Sequence, residues 1–136
     1  HLDAGAKMIH IGENTRSNIV SKSIADGNGV ANYRGKVKIC SSAKNSYASI
    51  KCDTILLSDD SVSDTYPVNE VLNDSSKLEH EATVSKISEE KMFYLRSKGL
   101  SESLAKEILI MGFISDFKKE LPMEYAVELN RLMKEI

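Results

Sequence analysis

The stretch EHEATVSKISEEKMFYL, residues 79–95, contains the point at which the chain changes from one periodicity to another. Upstream of it the pattern is that of extended strands, in which apolar and polar residues alternate. From Ser88 onward the spacing becomes helical, with Ser88 as the predicted N-cap and acidic residues in the positively polarised first turn. We therefore predict two domains, a β part over residues 1–87 and a helical part over residues 88–136.

Short β-type runs and polar corners alternate throughout the first part. The corners consist of Gly, Asn, Asp and Ser, which favour turns through positive φ or through bonds to their own backbone. Many short strands with no helix between them predict a sandwich, a barrel or a β-solenoid. A loose recurrence of strand, corner and strand is also typical of parallel β-helices, so sandwich and solenoid stay equally open on pattern alone. The predicted strands include Met8–Ile11, Asn18–Val20, Val37–Cys40, Ser49–Cys52 and Thr54–Leu57.

Three helices are predicted after the change of periodicity. The first ends at Gly99, the second starts at Ser101, and Pro122 suits the first turn of the third. The third helix carries two apolar stripes, which suits either burial on both sides or one side packed and the other bound to a partner. The stripes are Met123/Ala126/Val127 and Tyr125/Leu129/Leu132/Ile136.

Composition excludes several classes of function. The 136 residues carry 18 Lys and Arg against 20 Asp and Glu, a net charge of −2, which gives no electrostatic footprint for nucleic acid or an anionic membrane. No apolar run is long enough to span a bilayer. Two cysteines, Cys40 and Cys52, indicate a reducing, cytoplasmic compartment rather than a disulfide framework. Because the chain starts at His1 rather than at a Met, we expect a fragment or a processed product.

The densest cluster of ligand-type side chains is Glu79-His80-Glu81. On a strand, Glu79 and Glu81 share one face and His80 takes the other. Two carboxylates near a thiolate could hold ferrous iron, whereas a solvated edge strand also carries charges of this kind. On the residues alone the edge strand is favoured, and Cys52 by itself is a small buried hydrophobe. Two cysteines cannot supply the four thiolates of a stable iron–sulfur site, so any metal would need further ligands.

Residues 79–95 resemble the signature of the SufB/SufD family of iron–sulfur cluster assembly proteins, in the form found in its SufB-type scaffold members. The similarity reaches from about Gly12 to Met133, and its departures include Ile114, where some members carry Cys. The other segments that carry it are Tyr33–Val37, Lys51–Leu57, Ser63–Pro67, Arg96–Glu102, Met111–Ile114 and Glu120–Glu128.

The resemblance implies a fold and a set of partners. The β part would be the end of a right-handed parallel β-helix, followed by a small helical domain that docks onto the SufC ATPase. The β-helix would pair with SufD or with a second SufB-like chain, and a sulfur donor system would supply the complex. The chain itself would be a cytoplasmic scaffold rather than an enzyme, with no nucleic acid or membrane as partner. The residues expected to bind SufC are Phe113, Met123, Tyr125 and Leu129.

The resemblance also implies site residues. Cys52 and Glu81 match the positions that the family needs to build the cluster, and Glu79 and His80 match their neighbours. The implied role of Cys52 is sulfur acceptance or iron ligation together with Glu81. The cluster would be transient in the assembled complex and is expected to be absent from this fragment. Two alternatives stay open: a SufD-like subunit without cluster ligands, and an unrelated solenoid enzyme acting on carbohydrate.

Overall fold

The computed structural model describes residues 1–132, which form six strands followed by three helices. Two compact units are present, His1–Lys86 and the part that starts at Ile87. The assignment of domains to residues 1–87 and 88–136 stays a prediction. The elements are β1 Leu2–His10, β2 Arg16–Ala25, β3 Val30–Ile39, β4 Tyr47–Leu56, β5 Val62–Val71, β6 Lys77–Lys86, α1 Glu89–Ser97, α2 Glu102–Lys119 and α3 Met123–Leu132.

The strands of the first unit form two three-stranded parallel sheets, ordered β1-β3-β5 and β2-β4-β6. Consecutive strands lie in different sheets, so the chain passes from one sheet to the other at each corner. Arg16 pairs with Tyr47 and Tyr47 pairs with Lys77, which sets a repeat of about 30 residues. The predicted mainly β chain with C-terminal helices is confirmed, and the parallel pairing is consistent with a β-helix and not with an antiparallel sandwich.

The core of this unit lies between the two sheets and is densest in the middle coil, formed by β3 and β4. Val37, Ile39 and Ile50 are almost completely buried, because they occupy alternate positions that face inward. Their polar neighbours on the same strands, such as Arg34 and Lys51, face outward. The alternation that predicted strands therefore also divides each sheet into an inner and an outer face.

The polar corners stack on one another from coil to coil. Asn14 and Asn45 both adopt positive φ, at 59° and 54°, which suits Asn in a tight turn. The backbone N–H of Thr15 donates to Ser46 Oγ at 3.1 Å, and the backbone N–H of Ser46 donates to Ser76 Oγ at 3.0 Å. These bonds satisfy corner amides that have no strand partner and hold successive coils in register.

The starts of α1 and α2 and the end of α1 lie at predicted residues, whereas Pro122 directly precedes α3 instead of lying in its first turn. Ser88 and Ser101 are N-caps whose side chains accept from the backbone N–H of Lys91 and Leu104. Gly99 follows α1 with φ of 91°, the left-handed conformation that ends helices. Ile136 of the second predicted stripe lies outside the described residues.

Candidate functional site

Strands β4 and β6 are neighbours in one sheet, and their register decides which predicted site residues meet. Ile50 pairs with His80, Lys51 with Glu81, and Cys52 with Ala82. Because side chains alternate along a strand, His80 and Cys52 share the inner face of the sheet. Glu81 lies on the outer face.

Cys52 is a buried free thiol, 5% exposed, within the core of the middle coil. Burial raises the pKa of the Cys52 thiol, and the nearby Asp53 carboxylate raises this pKa further. The group is therefore a protonated thiol at neutral pH in the chain as it stands. A second group is needed to favour the thiolate that accepts sulfur or binds iron.

His80 is the group best placed to do this. Its Nε2 lies 3.8 Å from Cys52 Sγ, and its Nδ1 lies 3.2 Å from Nδ2 of Asn69 on β5. An amide nitrogen can only donate, so Nδ1 accepts and the neutral imidazole carries its proton on Nε2. That N–H points to the sulfur, where it stabilises a thiolate more than a thiol. Asn69, His80 and Cys52 thus form a hydrogen-bonded series that joins the inner faces of the two sheets.

The two glutamates lie on the outer face. Glu79 accepts a hydrogen bond from the Tyr47 hydroxyl at 2.7 Å and forms an ion pair with Lys77. The hydrogen bond from Lys77, followed by that from Tyr47, lowers the pKa of Glu79. Glu81 is exposed next to Lys51, its register partner.

The structure therefore divides the predicted site residues into two sets. Strand alternation predicts both carboxylates on one face and His80 on the other, and the register has this arrangement. Cys52 pairs with Ala82 and Glu81 with Lys51, so the thiol and the Glu81 carboxylate lie on opposite faces of this sheet. The expectation that Cys52 and Glu81 are common ligands of one metal stays a prediction. Within residues 1–132, no three His, Cys, Asp or Glu side chains converge as a metal site.

Sequence reasoning missed two residues of the inner face. Asn69 gave no signal, because its contact with His80 depends on how the two sheets face each other. Tyr33 is buried at an inward position of β3 and belongs to the same core cluster as Cys52. A Tyr-x-Gly pattern in a strand, here Tyr33 and Gly35, is a signal that could have pointed to it, since the glycine leaves room for the ring.

The residues predicted to bind SufC lie in the second unit. Met123 and Tyr125 are exposed on α3, at 78% and 67%. Leu129 on α3 and Phe113 on α2 are half-buried. Exposed apolar side chains also continue along α3 at Val127 and Leu132. None of the helices described between residues 1 and 132 is both long and apolar enough to cross a bilayer.

Comparison with known proteins shows the family of this chain. The family model described as "SUF system FeS cluster assembly, SufBD core domain" matches residues 1–113. The chain belongs to the SufBD family. This SUF family member is 58% identical over 134 residues to the iron–sulfur cluster assembly protein SufB of Bacillus subtilis. It is 59% identical over 132 residues to iron–sulfur cluster assembly SufBD family proteins of Staphylococcus haemolyticus and Staphylococcus aureus.

These alignments cover almost the whole chain but a small part of each relative. They include 98% of this SufBD chain and 29% of the B. subtilis protein, and 97% against 28% for the S. haemolyticus protein. The chain thus spans less than a third of the length of the curated relatives that it matches. The description of the matching family model names SUF system iron–sulfur cluster assembly.

Proposed function

We propose that this chain is the part of a SufB-type scaffold on which a nascent iron–sulfur cluster is built. The observation that carries the proposal is the buried Cys52 thiol of β4 with the His80 imidazole of β6 3.8 Å away, on the inner face of their sheet. A thiolate is an iron ligand in cluster proteins, and the Nε2–H of His80 favours the thiolate form of Cys52. The cluster is cargo in this proposal, built here and then passed on, so the chain acts as a scaffold and not as an enzyme.

One inner thiolate does not complete a cluster, and this points to a partner. Strands β5 and β6 end their sheets on one side, as β1 and β2 do on the other, and within the described part of the chain each presents an edge without a strand partner. Such edges favour pairing with another chain. SufD or a second SufB-like chain, docked against this coil, would supply the missing ligands from its own surface. Glu79 and Glu81, on the outer face, suit the delivery of ferrous iron.

The helical unit provides a second proposed contact. Met123 and Tyr125 are exposed, and Leu129 and Phe113 are half-buried. We expect these four residues to form the docking surface for the SufC ATPase, which would supply ATP hydrolysis. Apolar residues exposed along one helix are typical of a helix that binds a partner. Alanine at Tyr125 and Leu129 should reduce the SufC retained in a pull-down by about tenfold, and unchanged retention would remove this part of the proposal.

The central test is complementation of cells that lack SufB, using the full-length protein. Cys52→Ser is expected to abolish cluster assembly and Glu81→Ala to reduce it severely, whereas Cys40→Ser should leave it intact. Cys40 is the matched control because it is a free cysteine outside the buried core cluster. Normal assembly by Cys52→Ser would contradict the site assignment.

The SufD-like alternative is tested by expressing the full-length wild-type protein in two deletion strains. A SufD-like subunit would rescue cells that lack SufD and not cells that lack SufB. The proposal expects the opposite result. Both cysteines are free, which fits the reducing cytoplasm that we propose as the site of assembly.

A further inference from the structure

The Tyr33 hydroxyl is a buried polar group without a partner. The residue is 7% exposed, and its hydroxyl oxygen has no hydrogen bond to any residue that the structure describes. Buried tyrosine hydroxyls normally find a partner, and leaving one unpaired destabilises the fold. A buried hydroxyl without a partner therefore indicates a function that outweighs the loss of folding stability.

The position of the ring is set by Gly35. Both residues occupy inward positions of β3, and the ring lies over the glycine. A Cβ at Gly35 would lie 2.9 Å from Tyr33 Cε1 and 3.3 Å from the hydroxyl oxygen, too close for any larger residue without movement of the ring. The glycine therefore provides the space in which the hydroxyl lies inside the coil rather than at its surface.

Cys52 is the reactive group that shares this interior. It belongs to the same buried cluster as Tyr33. Burial raises the pKa of the Tyr33 hydroxyl, and the nearby Cys52 raises it further. The register neighbours of Cys52 in its own sheet are Ser21 and Ala82. Both are small, so the sulfur has less crowded surroundings than the positions next to Ile50.

We infer that the Tyr33 hydroxyl is a hydrogen-bond donor for a second sulfur atom carried on Cys52, that is, for a Cys52 persulfide. The inference rests on the proposed function, because it takes Cys52 as the sulfur acceptor. An O–H group donates to an anionic sulfur more strongly than to a neutral thiol. The Tyr33 hydroxyl thus has no hydrogen-bond partner when Cys52 is a free thiol, and it gains one when Cys52 carries the second sulfur. It is a positioning residue for the bound sulfur, on the opposite sheet from His80.

The loading step balances without an added oxidant. Cys52, once its proton has passed to solvent, attacks the outer sulfur of a donor persulfide or polysulfide, R–S–S⁻. The new Sγ–S bond forms as the donor S–S bond breaks, and the electron pair of that bond leaves with R–S⁻. The products are Cys52–S–S⁻ and the donor thiolate. The Tyr33 hydroxyl donates to the terminal sulfur of the first product.

The test uses Tyr33→Phe in the full-length protein, because Phe keeps the ring and removes only the unpaired oxygen. Protein is incubated with inorganic polysulfide and trapped with iodoacetamide. Mass spectrometry then measures persulfide on the tryptic peptide Cys52–Lys77, which contains no other cysteine. Occupancy should fall by about tenfold in Tyr33→Phe. Tyr66→Phe, an exposed hydroxyl on the outer face of the opposite sheet, is the matched control and should keep wild-type occupancy.

Thermal unfolding separates this role from a structural one. Tyr33→Phe should unfold at the same temperature as the unloaded wild type or at a higher one, since it removes a buried unpaired group. A more stable variant that holds less sulfur supports the inference. Gly35→Ala, which displaces the ring but keeps the hydroxyl, should also lower the occupancy.

Equal occupancy in Tyr33→Phe and wild type would overturn the inference and leave the proposed scaffold function standing. A wild-type Cys52 that takes up no sulfur from polysulfide would overturn it as well, since the hydroxyl would then have no ligand. Failure of the scaffold function itself is seen in a different experiment, as normal complementation by Cys52→Ser. The tyrosine ultraviolet band should shift on loading of the wild type, and the contribution of Tyr33 should be missing from Tyr33→Phe.

Discussion

The two faces of the β4–β6 pair differ although their residues alternate along the same strands. The inner face carries Cys52, which is shielded from water, and His80, which lies beside its sulfur. The outer face carries Glu79, Glu81 and Lys51, which are exposed and charged. A β-strand can therefore bring two chemical environments within one residue of each other, one shielded from water and one hydrated and charged.

The largest effect should come from truncating an inner residue of the middle coil. Ile50→Ala is expected to lower the free energy of unfolding by about 2–5 kcal/mol, because it leaves a cavity in a core that cannot fully collapse. Lys51→Ala, one residue away on the outer face, should change it by less than about 0.5 kcal/mol. Urea unfolding of the full-length protein measures both. A loss at Lys51 equal to that at Ile50 would contradict the assignment of faces.

A second effect, also large, should follow from moving the thiol by one residue. In a Cys40→Ser background, the double change Cys52→Ala with Lys51→Cys transfers the only thiol of this segment from the inner to the outer face. The outer thiol should react with iodoacetamide at least about tenfold faster at pH 7.5, because it is exposed and free of the burial that disfavours the thiolate. Equal alkylation rates, measured by mass spectrometry, would show that the two positions do not differ in access.

The pH dependence of alkylation by iodoacetamide shows whether the pKa of the Cys52 thiol is raised or lowered. Burial and Asp53 raise the pKa of this thiol, so its alkylation should still be increasing at a pH where the outer thiol has levelled off. The folded chain holds this proton more tightly than the unfolded chain does. The associated stability is therefore present below the ordinary thiol pKa and is lost as the pH rises through the raised value.

An intermediate effect is expected from the hydrogen bond that orients His80. Asn69→Leu removes the donor to Nδ1 but keeps a side chain of similar size, so the Nε2–H is no longer fixed towards Cys52. Cluster assembly by the full-length protein should fall by about threefold to tenfold. Glu70→Gln, on the outer face of the same strand, is the control and should retain assembly.

A readout on the imidazole separates orientation from folding. The ¹⁵N chemical shifts of His80 in the full-length protein should indicate a proton fixed on Nε2 in the wild type and a mixture of tautomers in Asn69→Leu. Unchanged shifts together with normal assembly would mean that Asn69 does not position the ring.

The sequence allowed much of the fold to be predicted, because strand alternation, corner residues and helix caps are local. Ser88, Gly99 and Ser101 mark helix ends through bonds within one turn, and the structure has them at those ends. The choice between sandwich and solenoid stayed open on pattern alone. It depends on which strands pair, a relation between residues about 30 positions apart that no exact repeat marks.

The candidate site was predictable only in part for the same reason. Alternation placed His80 opposite Glu79 and Glu81 without any knowledge of pairing. Cys52 shares a face with His80 because of the register of β4 against β6. A shift of this register by one residue would have placed Cys52 on the same face as Glu81 instead. Tyr33 and Asn69 lie on the other sheet, so their relation to Cys52 and His80 arises only when the coil closes.

The smallest effect is expected on the outer face, at Glu79. The hydrogen bonds from Lys77 and Tyr47 lower the pKa of Glu79, so the folded state contributes stability above the ordinary Glu pKa and loses it as the pH falls through the lowered value. The group is exposed and the interaction is screened, so Glu79→Gln should not measurably shift the urea midpoint at pH 7. Below about pH 5 the variant should lose slightly less stability than the wild type. A clear loss at pH 7 in Glu79→Gln would mean that the outer face supports the fold as well as the inner face does, and the contrast between the two faces would then lie in chemistry alone.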